Sequence, residues 1–167
     1  MCRKQKKGKD VQMKNHYGFS LIELMVVIAV ISILAAVSVP VYKNFLTRSK
    51  RSEAYANLHS LYIAEQVYHA EHSEFTTQLR GENSLGWEPS GKNAYTYGFS
   101  SGSDSNVIGT LKTPASALSN TQASKDSFIA GAAGDIDGDS INDVLTIDEK
   151  GTITIVTDDT KDQTAAK

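Results

Sequence analysis

Nineteen consecutive residues, from Leu24 to Tyr42, carry no charge, and this run limits what the chain can fold into. The wider apolar segment, from Phe19 to Val39, is 21 residues long. As an α-helix it would extend about 31 Å at ~1.5 Å per residue, which matches a hydrocarbon core of roughly 30 Å. A water-soluble domain has no reason to concentrate its apolar residues in one run. The sequence therefore predicts association with a membrane at some stage.

The 18 residues before this run differ from it sharply in charge. They hold six basic residues and one acid, Asp10, and they end at Gly18. Because they contain too few apolar residues to contribute to a core, they indicate a processing signal. An ordinary secretory signal would have a shorter apolar core followed by a small-residue cleavage site, and no such site follows Val39.

Glu23 is the exception within the apolar segment. A lone carboxylate in a lipid-embedded helix costs at least ~2.5 kcal/mol, and such residues usually have a function. One interpretation is an acid near the helix end that reaches the lipid headgroups. The other requires a cation nearby, which cleavage after Gly18 would supply as a new amine on Phe19.

The segment Gly18–Ile28, with Leu34–Ala36 and Pro40 downstream, resembles the start of type IV pilins and their pseudopilin relatives. The resemblance implies cleavage between Gly18 and Phe19 by a membrane prepilin peptidase, followed by methylation of the new Phe19 amine. It also implies that Glu23 neutralises the amine of a neighbouring subunit during filament assembly.

The pattern after the apolar segment predicts an α+β fold. Pro40 is expected to bend the helix or interrupt its hydrogen bonds locally. Apolar residues then recur at spacings of three and four as far as Phe75, which predicts that the helix continues with one apolar side. Short strands are predicted at residues 95–99, 107–111, 128–133, 144–148 and 152–157. The fold class is a long amino-terminal helix, membrane-spanning in its first half, packed by a small antiparallel sheet.

These features divide the chain into three parts. Residues 1–18 are predicted to be a cleaved leader peptide, and residues 19–41 a hydrophobic helix for membrane insertion and polymerisation. Residues 42–167 are predicted to form an extracytoplasmic α+β head with a disordered tail from about residue 158. Loss of the leader would leave 11 basic and 18 acidic residues, a net charge near −7. It would also remove Cys2, the only cysteine, so the mature chain could form no disulfide.

An acidic segment from Asp135 to Asp143 predicts a metal site in the head. Aspartates occupy its first, third, fifth and ninth positions, and they would repel one another unless a cation neutralised them. Ca²⁺ takes six or more hard oxygen ligands. The predicted ligands are the side chains of Asp135, Asp137, Asp139 and Asp143 and the carbonyl oxygen of Ile141. The alternative is a solvated acidic hairpin without a metal.

Two classes of function are disfavoured by the sequence. It contains no nucleophile elbow, phosphate-binding loop or His-x-x-x-His pair, so the chain is not predicted to be an enzyme. A net charge of −2 excludes a generally basic nucleic-acid binder, and no direct nucleic-acid binding is predicted.

The resemblance makes a structural subunit of a type IV pilus the leading hypothesis. The precursor would be a single-pass inner-membrane protein with a cytoplasmic amino terminus, and the mature chain would join an extracellular pilus for motility, adhesion or DNA uptake. The implied partners are further copies of the chain, prepilin peptidase and the pilus or secretion assembly machinery. Two alternatives remain: the major pseudopilin of a type II secretion system, and a monomeric, membrane-anchored calcium-binding sensor or adhesin.

Overall fold

The computed structural model describes residues 18–100, 106–110, 112–118 and 120–160. The predicted leader up to residue 17, and the predicted tail beyond residue 160, lie outside these ranges. The chain divides into two compact units, residues 1–39 and residues 40–167. One helix, α1 (Leu21–His72), contributes to both units and contains Pro40.

The first unit contains α1 as far as Val39, and every residue of this helical stretch is exposed. The helix is long and apolar enough to cross a membrane. The Ser32 hydroxyl donates to the carbonyl oxygen of Ile28 at 2.7 Å, so this side chain adds no unsatisfied donor to the apolar surface. These properties agree with the predicted hydrophobic helix.

In the second unit, α1 buries one side. Ala54, Leu58, Leu61 and Tyr68 follow one another at spacings of four, three and seven residues, which places them on one face of an α-helix. The helix ends at His72, because Ser73 adopts a left-handed backbone with a φ of 59°. The end predicted near residue 75 is therefore about three residues too late.

The sheet of the second unit is antiparallel throughout. Its strands run in the order β2-β1-β4-β5-β6, and β3 pairs with β4 off this path. The strand bounds are β1 (Thr96–Gly98), β2 (Val107–Gly109), β3 (Gln122–Ala123), β4 (Phe128–Gly134), β5 (Asp143–Asp148) and β6 (Ile153–Thr157). A short 3-10 turn, Ala115–Ala117, precedes β3. The α+β class predicted from the sequence is confirmed.

The five predicted strands correspond to β1, β2, β4, β5 and β6, whereas β3 was not predicted. It has only two residues and lacks an alternating apolar pattern, so no local signal marks it. The Asp148 carboxylate stabilises the turn between β5 and β6. That carboxylate accepts hydrogen bonds from the N–H groups of Lys150 and Thr152, at 3.0 and 2.8 Å.

The register of β4 and β5 positions the acidic segment. Gly134 pairs with Asp143, so residues 135–142 form the connection of this hairpin. A Cβ atom at Gly134 would lie 2.7 Å from the carbonyl oxygen of Ala94, which shows that the chain before β1 packs closely on this end of β4. Tyr95 is thereby held beside the start of β5.

Glu65 is a buried acid on the inward side of α1, with no exposed surface. Its Oε2 atom accepts a hydrogen bond from the N–H of Thr76 at 3.3 Å, while Oε1 has no hydrogen-bond partner within the described residues. Burial raises the pKa of Glu65 to about 8.

We expect the free energy of unfolding to fall as the pH rises from about 4.5 to 8. In the unfolded chain Glu65 ionises near its ordinary pKa of 4.5, whereas the folded chain keeps it protonated up to about pH 8. The folded state therefore binds the additional proton in this interval and loses that advantage as the pH rises, by ~1.4 kcal/mol per pKa unit. Denaturant titrations of the full chain in detergent, at a series of pH values, measure this slope.

The Glu65→Gln variant is the specific control. Burial also raises the pKa of Asp159, to about 6, so the slope between pH 7 and 8 separates Glu65 from Asp159. Glu65→Gln should flatten this part of the profile, and Glu74→Gln, at an exposed acid, should leave it unchanged. A slope that persists in Glu65→Gln would contradict the assignment.

Candidate functional site

The predicted processing point lies just before α1. Gly18, Phe19 and Ser20 are exposed and non-helical, and 79% of the Phe19 surface is exposed. Exposed segments outside regular structure are the preferred sites of proteolysis. The local structure is therefore compatible with cleavage between Gly18 and Phe19, which stays a prediction.

Glu23 lies in the first turn of α1 and is exposed. The free N–H groups of a helix amino terminus favour a carboxylate in this turn. A free amine on Phe19 would place a positive charge at the same end of the helix. The role of Glu23 in assembly stays a prediction.

Pro40 lies inside α1, where the first unit ends and the second begins. Proline has no backbone N–H, so the helix lacks one hydrogen bond at this point. The predicted kink follows from that missing bond and stays a prediction.

The acidic connection between β4 and β5 is folded by its own carboxylates. Asp135 accepts hydrogen bonds from the N–H groups of Gly138 and Ser140, at 2.7 and 3.0 Å. Gly138 and Ser140 have φ values of 95° and 73°, so the chain turns sharply around this side chain. Ile136, which is 1% exposed, anchors the connection in the core.

Two further acids continue this arrangement. Asp137 accepts a hydrogen bond from the N–H of Asp139 at 3.1 Å, and Asp139 accepts one from the N–H of Ile141 at 2.8 Å. The structure thus brings Asp135, Asp137 and Asp139 together, as predicted. Ile141 takes part through its N–H, and its carbonyl oxygen stays a predicted ligand.

The fourth carboxylate of this group is Asp159 rather than Asp143. One carboxylate oxygen from each of Asp135, Asp137, Asp139 and Asp159 lies within 4.8 Å of those of the other three. Asp159 follows β6, in the part of the chain that was predicted to be a disordered tail. It is 4% exposed, and its Oδ2 atom accepts a hydrogen bond from the N–H of Ile136 at 3.1 Å.

Asp143 is engaged elsewhere, in a buried ion pair with Arg51 of α1. The guanidinium contacts both carboxylate oxygens of Asp143, with a distance of 3.0 Å from Nε to Oδ2. The Tyr95 hydroxyl donates to Oδ2 at 2.6 Å, and the Asp159 N–H donates to Oδ1 at 3.3 Å. These four contacts occupy the Asp143 carboxylate, so the structure does not bring it into the acidic group.

Asp158 also contacts Arg51, with 2.5 Å between its Oδ1 atom and Nη2. Its carboxylate further accepts a hydrogen bond from the hydroxyl of Thr160 at 2.6 Å. Residues 158–160 are therefore held in the head, in contrast to the predicted disorder, because the Asp158 carboxylate pairs with Arg51 of α1 and the Asp159 carboxylate accepts the N–H of Ile136.

The electrostatics follow this division of the acids. Burial alone would lower the pKa of Arg51, but hydrogen bonds to Asp143 and Asp158 hold it above its usual range. Hydrogen bonds from Thr160 and Arg51 lower the pKa of Asp158. Burial, together with the negative charges of the three loop aspartates, raises the pKa of Asp159 to about 6. The three loop aspartates therefore disfavour a negative charge on Asp159. In the cluster of Arg51, Asp143 and Asp158, by contrast, the guanidinium lies against both carboxylates.

Sequence reasoning missed Arg51, Tyr95 and Asp159 as members of these clusters. A usable signal existed for Asp159. The predicted β5–β6 hairpin returns the end of β6 to the start of β5, and hence to the acidic connection. For Arg51, which lies 92 residues before Asp143, no local pattern indicates the pairing.

Comparison with known proteins adds a family match and several relatives. Residues 13–39 match the family model described as the prokaryotic N-terminal methylation motif. The chain is 39% identical over 121 residues to the type IV major pilin protein PilA of Myxococcus xanthus, covering 72% of this chain and 54% of that protein. It is 34% identical over 93 residues to the type IV major fimbrial protein FimA of Dichelobacter nodosus, covering 56% of this chain and 55% of that protein.

A third relative matches a shorter segment. The fimbrial protein EcpC of Eikenella corrodens is 58% identical over 38 residues, which is 23% of this chain and 25% of that protein. The chain spans about half the length of the first two relatives.

We expect Arg51→Met to destabilise the head by about 3–5 kcal/mol, because it leaves the buried Asp143 carboxylate without its cation. Asp143→Asn should cost less, since Arg51 keeps Asp158 as a partner. The double variant should cost less than the sum of the two single variants, because neither charge is then left unpaired. Denaturant unfolding of the full chain in detergent measures all three.

The exposed Asp126 provides the matched control, and Asp126→Asn should change the free energy of unfolding by less than about 0.5 kcal/mol. Strict additivity of the Arg51 and Asp143 variants would show that the two side chains do not interact energetically.

Proposed function

We propose that this chain, a member of the type IV pilin family, is a structural subunit of a type IV pilus. In this proposal the precursor is cleaved between Gly18 and Phe19, the Phe19 amine is methylated, and the mature chain polymerises through the apolar part of α1. Prepilin peptidase and the pilus assembly machinery are its proposed partners.

The observation that carries the proposal is the exposed apolar surface of α1 before Pro40. Exposed fractions are 80% for Leu21, 69% for Ile33 and 66% for Val37, and no residue from 21 to 39 is buried. A surface of this size cannot remain in water. Lipid covers it in the precursor, and the same surface of other copies covers it in a filament.

Glu23 supplies the specificity that an apolar surface lacks. Apolar packing is non-directional, so many axial offsets between neighbouring helices would bury similar areas. A carboxylate inside such a bundle is costly unless a cation pairs with it. The Phe19 amine of a neighbouring copy is that cation in the proposed filament, and only one offset brings the two groups together.

The proposed location of the chain changes between the precursor and the assembled pilus. The precursor is proposed to lie in the inner membrane with its amino terminus in the cytoplasm. Six basic residues precede the apolar segment and four follow it before Glu53, so the charge difference supports this orientation together with the family. After assembly the mature chain belongs to an extracellular pilus.

The two alternatives are not favoured. The relatives reported above are named as pilins and fimbrial proteins, which supports a pilus over a type II secretion pseudopilus. Residues 13–39 match the methylation motif, and a monomeric sensor or adhesin would not require such a motif.

Processing can be tested by intact mass. In a host that contains prepilin peptidase, we expect the mature chain to begin at Phe19 and to carry one additional methyl group. Mass spectrometry of the membrane-extracted protein measures both changes, and a host that lacks the peptidase should yield the full precursor. A mass that retains residues 1–18 in the first host, or a cut beyond Val39, would refute the processing step.

Substitutions of Glu23 test assembly. Glu23→Val and Glu23→Gln both remove the negative charge, so we expect normal membrane insertion but a loss of most filaments sheared from the cell surface. Glu23→Asp keeps the charge and should retain more filaments than either. Equal filament yields from Glu23→Gln and the unchanged chain would show that charge pairing does not set the register.

A further inference from the structure

Asp159 has a polar atom that lacks a partner in the described structure. The residue is 4% exposed, and its Oδ1 atom is buried without a hydrogen-bond partner, while Oδ2 accepts the N–H of Ile136. A buried carboxylate oxygen without a partner is costly, and such atoms in folded proteins generally contact a donor or an ion. This observation is independent of the acidity of the neighbouring connection.

The surroundings of this carboxylate consist of further carboxylates. Asp135, Asp137 and Asp139 each place an oxygen within 4.8 Å of the Asp159 group. None of the four takes part in a salt bridge among the residues described. Lys50 reaches this connection, but its ammonium donates to the carbonyl oxygen of Ile136 at 2.6 Å rather than to a carboxylate.

The size and chemistry of the group indicate which ion would fit. Oxygens on opposite sides of Ca²⁺, at ~2.3–2.6 Å each, lie about 4.6–5.2 Å apart, so four oxygens within 4.8 Å of one another are close enough to contact one such ion. Mg²⁺ is usually held by one or two carboxylates and keeps several waters, so a group of four carboxylates favours Ca²⁺. The ligand set contains only carboxylate oxygens, without the nitrogen or sulfur that zinc and copper prefer.

We propose that Asp135, Asp137, Asp139 and Asp159 bind one Ca²⁺ ion, which fastens the segment after β6 to the connection between β4 and β5. In this ligand set Asp159 takes the place of Asp143, which is held by Arg51, and the Ile141 carbonyl oxygen stays a predicted ligand. The site does not depend on the proposed pilus function, since it lies within the head.

Calorimetric titration tests the ion and its ligands. The full chain is purified in detergent micelles, stripped of metal with a chelator and titrated with calcium chloride or magnesium chloride. We expect one calcium ion per chain and an affinity for magnesium at least tenfold lower. Asp159→Asn and the exposed Asp137→Asn should each weaken calcium binding at least tenfold, and Asp126→Asn should leave it unchanged.

Amide hydrogen exchange tests the fastening. Calcium should slow exchange at least tenfold in peptides that cover residues 135–141 and 157–160. It should have no such effect in Asp137→Asn, where a surface substitution leaves the core intact. Thermal unfolding should shift upward by at least about 3 °C with calcium in hundredfold excess over its dissociation constant.

Several results would overturn the proposal. Absence of calcium binding, equal binding of magnesium, or full binding by Asp159→Asn would each refute the site. Loss of binding in Asp143→Asn with retention in Asp159→Asn would restore the ligand set predicted from the sequence. Calcium binding without slower exchange in residues 157–160 would refute the fastening role.

Discussion

The structure of the head depends on how the buried charge of Asp143 is compensated. This side chain has no exposed surface, and a buried carboxylate without partners would be strongly destabilising. Arg51 supplies the cation, and the Tyr95 hydroxyl and the Asp159 N–H supply further hydrogen bonds. Because these groups come from α1, from the chain before β1 and from the chain after β6, one carboxylate fixes three separate segments against the start of β5.

The strand register explains why acids so close in sequence have different roles. Asp143 pairs with Gly134 at the end of the β4–β5 ladder, so its backbone belongs to the sheet and its side chain enters the interior. Asp135, Asp137 and Asp139 lie just beyond the ladder, where the chain is exposed and turns around its own carboxylates. Asp143, at the ninth position of the acidic segment, therefore stabilises the fold. Asp135, Asp137 and Asp139, at the first, third and fifth positions, remain available for a ligand.

The sequence predicted those features that depend on local patterns. The apolar run, the helical periodicity as far as residue 72 and the strands β4, β5 and β6 all arise from side chains whose spacing along the chain determines which side they bury. The exchange of Asp143 for Asp159 could not be found in this way, since it depends on an arginine 92 residues away. The formation of the short strand β3 likewise depends on its pairing with β4 and not on a pattern in its own two residues. Only the return of the predicted β5–β6 hairpin would have indicated that Asp159 approaches the acidic connection.

The way the head closes its carboxy-terminal segment has a chemical consequence. Without residues 1–18 the chain has no cysteine, so no disulfide can tie residues 158–160 to the rest of the head. Charged side chains hold this segment instead. Asp158 contacts Arg51, and the carboxylate of Asp159 lies in the acidic group with Asp135, Asp137 and Asp139. A disulfide would respond to the redox state of its surroundings, whereas these contacts respond to ions. Screening by salt weakens the exposed part of the Arg51 cluster, and in the proposed site a calcium ion would relieve the repulsion at Asp159. The carboxy-terminal end of the head is thus held by charged contacts that respond to the ionic composition of the medium.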